Sequence, residues 1–475
     1  MTITTLLILV AAALLLGILP RGRARTLAYL SASVLAIFIL QPVVPIRGMD
    51  FWLPTTTLAL TVLVWSLYRT RAGSVWRENW PAISILVGIV LILAAGRNLG
   101  LDFPMQASRT PSLLSVILAI LCLFSGGVFL TLSRKDGRIA CSLAVVILLV
   151  LFTVLKVPAL SLQASQLLRS LNQQSIQTAS SLDLRWLGFS YIAFRLLHVL
   201  RDRQTGRTFP VSLDEFIVYV IFFPTLAAGP IDRLERFIKD LHVEERVSSS
   251  AYLQAGWRIL LGLFKKFVLA DSLAMISLNA SNATQVTAAG WTWVMLYAYA
   301  CQIFFDFSGY TDLALGMGQL LGVKLPENFN RPLSRTNLTQ FWNNWHMTLT
   351  QWFRAYFFNP LTRSLRTSRC PLPMSAMILI TQVSTMVLIG LWHGVTWNFV
   401  LWGLWHGAGL FVHNRWAEWR KTRPAVSSPA VQRLLNGVSL LATFHYVALG
   451  WVFFALPDLS SSLRIFALLF GGGGS

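Results

Sequence analysis

Pro373-Met-Ser-Ala-Met-Ile-Leu-Ile-Thr-Gln-Val-Ser-Thr-Met-Val-Leu-Ile-Gly-Leu-Trp392 contains no Asp, Glu, Lys or Arg. About 20 mostly apolar residues let an α-helix cross the hydrocarbon core of a bilayer. Only helices and closed barrels can satisfy their backbone there. This stretch therefore reads as a spanning helix. At its end stands His393, and Gly390 and Gly394 leave room beside it for backbone or ligand. The pattern recurs at 3–20, 26–45, 51–68, 81–97, 112–132 and 139–163, then at 185–200, 251–275, 290–322, 396–414 and 434–456. Composition agrees. Hydrophobic residues make up 55% of the chain and charged residues 12%, against about 45–50% and ~25% in a soluble domain. The expected fold is all-α, a polytopic transmembrane helical bundle of about 11–13 membrane segments, some of them re-entrant or interfacial.

A formal net charge of +20 could suit a nucleic-acid partner. Here the Lys and Arg fall in short stretches between apolar runs, as in cytoplasmic loops facing anionic lipid, so nucleic acid is not expected. The first loop carries Arg21, Arg23 and Arg25, the third Arg69, Arg71 and Arg77, and the fifth Arg134, Lys135 and Arg138. The second has only Arg47, the fourth sets Arg97 and Arg109 against Asp102, and the sixth, 164–184, is rich in Ser and Gln. The positive-inside rule then places the N-terminus outside the cell membrane. The alternation fails once. Segment 213–230 should carry the chain outward, yet 231–246 holds Arg233, Arg236, Lys239 and Arg246. A half-crossing segment broken near Pro224 and Gly229-Pro230 resolves the conflict, and such backbone belongs beside a cavity. Four scattered cysteines offer no disulfide or thiolate-metal framework. The first apolar run, followed by arginines, reads as an uncleaved span. Gly471–Ser475 reads at least in part as an appended linker, so a native C-terminal segment beginning at 457–470 is expected to continue.

Ionisable residues within membrane segments are functional candidates. His393 is the first, and a neutral histidine bonded between helices is an equally good reading from chemistry alone. His346 lies in Phe341-Trp-Asn-Asn-Trp-His-Met-Thr-Leu-Thr-Gln-Trp352. As a helix, this segment puts Trp345, Leu349, Trp352 and Tyr356 on one face with His346 at its edge. It is too polar to span. Asp306 and Asp312 are about 240° apart on a helix and form no carboxylate pair. Asp306 and Tyr310 share a face, where a structural hydrogen bond is the expected role. His393 and His406 fall on different helix faces, and no ligand spacing supports a metal site.

In order along the chain come Phe222-Phe-Pro-Thr-Leu-Ala-Ala-Gly-Pro-Ile-Asp-Arg233, Gly262-Leu-Phe-Lys-Lys-Phe-Val-Leu-Ala-Asp271, Phe305-Asp-Phe-Ser-Gly-Tyr-Thr-Asp312, Pro326-Glu-Asn-Phe-Asn330, Phe341-Trp-Asn-Asn-Trp-His-Met-Thr-Leu349 and Leu391-Trp-His-Gly394, with Gly403-Leu-Trp-His-Gly407 behind them. Together they resemble the membrane-bound O-acyltransferase family, in particular its bacterial branch of alginate O-acetyltransferases and teichoic acid D-alanyl transferases. The resemblance covers about residues 185–456, while 1–184 is divergent. It implies a helical fold around a central tunnel, two family histidines falling on His393 and His346, and no bound cofactor. The co-substrate it implies is an acyl thioester, acyl-CoA or acyl-carrier. Two departures stand out. Ala355 replaces an acid in Trp352-Phe-Arg-Ala-Tyr356, and Ala455 stands where Arg is common.

The expected activity is transfer of an acetyl or other short acyl group from a cytoplasmic thioester to a hydroxyl of an exported polysaccharide or envelope glycan. His393 is the expected base, and His346 orients a substrate or bonds the oxyanion. Asn343, Asn344, Trp345, Trp392, Asn398, Asp306 and Tyr310 are candidates for the substrate path. Expected partners are the lipid bilayer, the exported glycan, and an acyl-carrier or a periplasmic or extracellular accessory acyltransferase. D-alanyl transfer from a carrier protein to a teichoic-acid-like polymer is the nearest alternative. A transporter or a non-catalytic acyl-relay scaffold is the alternative of another class.

Overall fold

The computed structural model describes residues 2–69, 75–96, 110–132, 137–243, 248–369, 372–424 and 428–472. The chain forms two compact units, Met1–Trp257 with Ala314–Leu325, and Arg258–Leu313 with Pro326–Ser475. The expected boundary at 184/185 lies inside the first. Every regular element among the described residues is helical. The loop residues Arg71, Arg97, Asp102, Arg109, Arg134, Lys135 and Arg246 and the cysteine Cys370 lie outside them.

In chain order the helices begin with α1 (Ile3–Gly17), α2 (Arg23–Ile39), α3 (Met49–Tyr68), α4 (Val75–Ala95), α5 (Leu113–Leu132), α6 (Gly137–Lys156) and α7 (Pro158–Leu171). The expected sixth span, 139–163, is two helices. Pro158 has no N–H for an intrahelical bond, so it starts α7 instead of continuing α6. Arg169 of α7 is buried, and its Nε donates to Asp183 2.9 Å away. That arginine of the sixth loop is therefore a structural one.

Next come α8 (Phe189–Gln204), α9 (Leu213–Ile221) and α10 (Leu234–His242). A capping box of Ser212 and Glu215 starts α9. The helix lasts only nine residues before a 3₁₀ turn at Phe223–Thr225, and α10 then packs back against it. Both outer ends of this hairpin meet the start of α2, where Arg25 donates to the Leu241 carbonyl and Arg23 lies 3.9 Å from Asp214. The chain thus returns to the end of α2 from which α9 set out, as expected of a half-crossing segment. The break leaves buried carbonyls without helical partners. Arg195 of α8, 2% exposed, collects several of them: it donates to the Tyr219 and Val220 carbonyls at 3.3 and 2.8 Å, and also to the Thr225 hydroxyl at 2.7 Å. A cation at the C-terminal end of α9 also suits its dipole.

The remaining helices are α11 (Ser249–Leu263), α12 (Asp271–Ala274), α13 (Ala280–Gln285), α14 (Ala289–Leu320), α15 (Leu338–Asn344), α16 (Met347–Phe353), α17 (Asn359–Arg366), α18 (Met374–His393), α19 (Trp397–Lys421), α20 (Pro429–Ala455) and α21 (Leu459–Leu469). The expected span 251–275 is α11, a π-helical stretch at Phe264–Ala270 and α12. Among the described residues five helices are long and apolar enough to cross a membrane: α3, Glu78–Ala95 of α4, α6, α18 and α20. That is fewer than the expected segments: α1 is a shorter apolar helix, and the segments expected at 213–230 and 251–275 are broken by the 213–242 hairpin and by the π-helix.

Candidate functional site

Helices α18 and α19 form a tight antiparallel hairpin, and glycine is the reason. A Cβ on Gly390 would stand 2.2 Å from the Phe399 carbonyl oxygen, and one on Gly394 2.6 Å from the Phe399 ring. In return, Cβ atoms on Gly403 and Gly407 would lie 2.5 and 2.7 Å from the Cα atoms of Val387 and Val383. No side chain fits at any of the four positions. The close approach fixes the last turn of α18 and with it His393. Its imidazole sits among Trp392, Phe399, Trp402 and Phe454, with ring centroids 4.5, 6.0, 5.9 and 4.8 Å away.

His346 is placed by a break in the expected helix. Through Asn344 the chain is α15. It then leaves helical geometry at Trp345 and takes a left-handed conformation at His346 (φ +42°, ψ +52°) before α16 begins. The single helical face of Trp345, Leu349, Trp352 and Tyr356 is therefore corrected to two short helices with His346 at the joint. Nothing in the local sequence demands this, and a left-handed non-glycine residue costs of order 1–3 kcal/mol. Packing from the Pro326–Asn330 segment holds it. The Asn328 carbonyl accepts from Met347 N at 2.9 Å, Asn328 Oδ1 accepts from Thr348 Oγ1 at 2.6 Å, and Asn330 N donates to the Asn344 carbonyl at 3.1 Å. Asn328 is fully buried.

Both histidines line one small cavity, about 40 Å³, walled by Ile303, Phe307, Trp342, Trp345, Leu349, Ile389, Trp402, Trp451 and Phe454. His346 is 3% exposed, and neither ring nitrogen has a hydrogen-bond partner outside its own residue. Burial lowers its pKa far below the ordinary histidine value. The ring is therefore neutral, with one N–H to give and one lone pair to accept. Trp392 faces both imidazoles, at 6.1 Å from His346 and 4.5 Å from His393. Next to this cavity, sharing Trp342 and Ile389, lies a larger one of about 300 Å³. Its polar lining includes Asn343, Arg354, Gln382 and Asn414. The Gln382 Oε1 is buried without a partner, and Arg354 donates to Asn343 Oδ1 at 2.8 Å.

The other sequence candidates separate. Trp345 lines the histidine cavity, the Trp392 ring lies edge-on near both histidines, and Asn343 lines the neighbouring cavity. Asn344 braces the turn before His346, accepting from Arg335 at 3.0 Å. Asn398 is buried and donates to the Leu456 carbonyl at 2.8 Å and to Ser462 Oγ at 3.1 Å, tying α19 to the chain between α20 and α21. Asp306 pairs with Lys266, while Asp312 pairs with Arg258 at 3.0 Å and Lys265 at 2.6 Å. Tyr310 is buried in α14. None of Asn344, Asn398, Asp306 and Tyr310 lines the histidine cavity. Sequence reasoning passed over Asn328, which sits inside a quoted motif, and Gln382, the amide in the middle of an apolar span. Among the described residues no group of three His, Cys, Asp or Glu has the arrangement of a metal site.

The sequence profile of MBOAT, the membrane-bound O-acyltransferase family, matches residues 113–454. It therefore begins well before residue 185. A teichoic acid D-alanyltransferase of Streptococcus thermophilus is 32% identical over 290 residues, 58% of this chain and 70% of that protein. A probable alginate O-acetylase of Azotobacter vinelandii is 31% identical over 297 residues, 60% of this chain and 54% of that one. A peptidoglycan O-acetyltransferase of Helicobacter pylori is 32% identical over 278 residues, 55% of this chain and 48% of that one. The chain thus spans about half the length of each of the two acetylating relatives. With apolar helices around paired histidines and a profile covering most of its length, this chain belongs to the membrane-bound O-acyltransferase family and is an integral membrane O-acyltransferase.

Proposed function

We propose that the chain transfers an acetyl or other short acyl group from a thioester made in the cytoplasm to a hydroxyl of an exported polysaccharide or envelope glycan. The observation that carries this reading is the cavity shared by His346 and His393. His393 takes the proton of the acceptor hydroxyl as its oxygen attacks the thioester carbonyl. The neutral His346 donates its N–H to the oxygen of the tetrahedral intermediate. Collapse breaks the C–S bond, and the proton on His393 passes to the departing thiolate, giving one ester and one thiol. A base of this kind contributes ~10²–10⁴-fold. Aromatic walls keep competing water out and strengthen each electrostatic contact.

Two features support the direction and size of the transfer. The larger cavity follows Ile389, Met386, Thr385 and Gln382 towards the start of α18 and is bounded on α19 by Leu410 and Asn414. Those helix ends are flanked by Arg363, Arg366, Arg420 and Lys421. Basic ends belong on the cytoplasmic side, so this path suits a thioester donor, from acyl-CoA or an acyl-carrier. The small histidine cavity, about 40 Å³, suits a small acyl group at the point of transfer. The membrane we assign is the bacterial inner membrane, where an exported acceptor and a cytoplasmic donor meet. A periplasmic or extracellular accessory acyltransferase fits this scheme as a later step.

The Streptococcus thermophilus relative, covered over 70% of its length, favours a second reading. There the acyl group is D-alanine and the acceptor a teichoic-acid-like polymer. One experiment decides between them. Envelope esters are released with alkali from cells making the wild-type chain or His393→Ala at equal membrane levels, and the released acids are identified by mass spectrometry. Loss of acetate supports the first reading, and loss of D-alanine the second. An unchanged ester profile removes His393 from the mechanism.

A further inference from the structure

In the middle of α18 three hydroxyls turn back on their own helix. Thr381 donates to the Met377 carbonyl at 2.8 Å, Ser384 to the Ile380 carbonyl at 2.6 Å and Thr385 to the Thr381 carbonyl at 2.6 Å. A membrane helix ordinarily satisfies short polar side chains in this way. Gln382 stands among them and is not satisfied. Its amide makes no hydrogen bond among the described residues, and it lines the cavity of about 300 Å³ beside the histidines. Its Oε1 is enclosed by protein, whereas Nε2 keeps accessible surface. The donor end of the amide is therefore the end open to a ligand. Asn414 of α19 brings a second amide to the same cavity, and it too bonds nothing among the described residues.

The lining decides what kind of chain can lie there. Among the described residues of the wall there is no Asp or Glu, and the one cation, Arg354, already bonds Asn343. A long hydrocarbon would leave both amides unpaired, which is costly beside apolar walls. A polyphosphate would meet a single guanidinium. A neutral chain with amides of its own can pair with both. Position narrows this further. Ile389 borders both cavities, and Gln382 lies seven residues before it, about 10 Å along the helix. For transfer the thioester carbon must stand beside His346 and His393, so what passes Gln382 is the chain that carries the sulfur. In acyl-CoA and in acyl-carriers alike that chain is a pantetheine arm, with one amide near the sulfur and another further out.

We propose that Gln382 determines donor specificity, its Nε2 donating to the carbonyl of the outer amide of the pantetheine arm. This rests on the thioester donor proposed above. Gln382 touches neither the acyl group nor the attacking oxygen. It sets how tightly the donor is held and leaves the chemical step alone.

The test follows thiol release by the purified full chain, with envelope glycan as acceptor, from two thioesters of the acyl group that the envelope analysis identifies. Pantetheine carries both amides, and N-acetylcysteamine only the inner one. For the wild type, KM is expected to be about tenfold lower for the pantetheine thioester. Gln382→Leu keeps the side chain's bulk without its amide. It should raise KM for the pantetheine thioester about five- to tenfold, the worth of one hydrogen bond between neutral groups. KM for the shorter thioester should move less than about twofold, with kcat for both close to wild type. An unfolding temperature no lower than that of the wild type shows the variant to be folded. Equal KM values for the two thioesters in the wild type overturn the assignment without any variant. Equal rises in KM for both, a fall in kcat alone, or no change in Gln382→Leu overturn it while the thioester donor stands. No turnover of either thioester by the wild type removes the donor itself, and this assignment with it.

Discussion

The pentapeptide Gly-Leu-Trp-His-Gly occurs twice in this chain, at 390–394 and at 403–407, and the two copies do different things. Their glycines have the same task, each admitting backbone or side chain of the facing helix. Their histidines do not. His393 stands at the end of α18 and lines the cavity it shares with His346. His406 lies inside α19 with no exposed surface, boxed by Trp342, Trp402, Trp451 and Tyr446, and neither of its ring nitrogens finds a partner. Five identical residues thus give one imidazole a cavity and the other a core position. Where the helix ends decides which.

The largest expected difference between the copies is catalytic. His393→Ala should lower acyl transfer by about 10²–10⁴-fold at unchanged membrane level, measured as turnover of an acyl thioester by the purified chain. Retention of most of the wild-type rate would falsify the base assignment.

The glycines should make the copies alike again, and through stability instead of turnover. Within a helix, Gly→Ala ordinarily gains about 1 kcal/mol. At Gly390 and Gly403 the new Cβ would stand 2.2 Å from a carbonyl oxygen and 2.5 Å from a Cα. Overpacking of that kind costs typically 1–3 kcal/mol, so the sign reverses. Gly390→Ala and Gly403→Ala should both lower the thermal unfolding temperature in detergent, by similar amounts. A rise in either would mean that α18 and α19 do not approach as closely as described.

His346 has a support that neither copy of the pentapeptide uses. Asn328→Ala removes the acceptor for Thr348 Oγ1 and should cost about 1–3 kcal/mol, with a fall in kcat because the left-handed turn at His346 loses its brace. Asn328 is a positioning residue here. An unchanged kcat with reduced stability would limit it to packing. The fold was legible in part for related reasons. Spans such as 51–68 announce themselves because a long apolar run has one way to sit in lipid. The break at His346 does not, because Phe341–Trp352 contains neither Gly nor Pro and the bonds that enforce it come from a segment sixteen or more residues earlier. The short α9 was legible through loop charges, which clashed with a full crossing, and through Pro224 and Gly229-Pro230, which offered the break. Its buried partner Arg195 gave no local sign. Of the site, His393 stood out by its flanking glycines, while Gln382 was hidden as one amide in an apolar run.

The smallest expected effect belongs to His406. Its ring fills space between tryptophans and its nitrogens bond nothing, so His406→Leu exchanges a buried imidazole for an apolar side chain of similar size. Loss of edge-to-face ring contacts costs about 0.5–1.5 kcal/mol each. Removing two buried unpartnered nitrogens returns an amount of the same order. The two nearly offset, and turnover should stay close to wild type. Turnover and unfolding temperature measured on the same preparation check this directly. A collapse of turnover with an unchanged unfolding temperature would mean that His406 reaches the chemistry through Trp342 or Trp402, both of which line the cavity. The two pentapeptides would then be partners in one site, and the position of the helix end would no longer separate them.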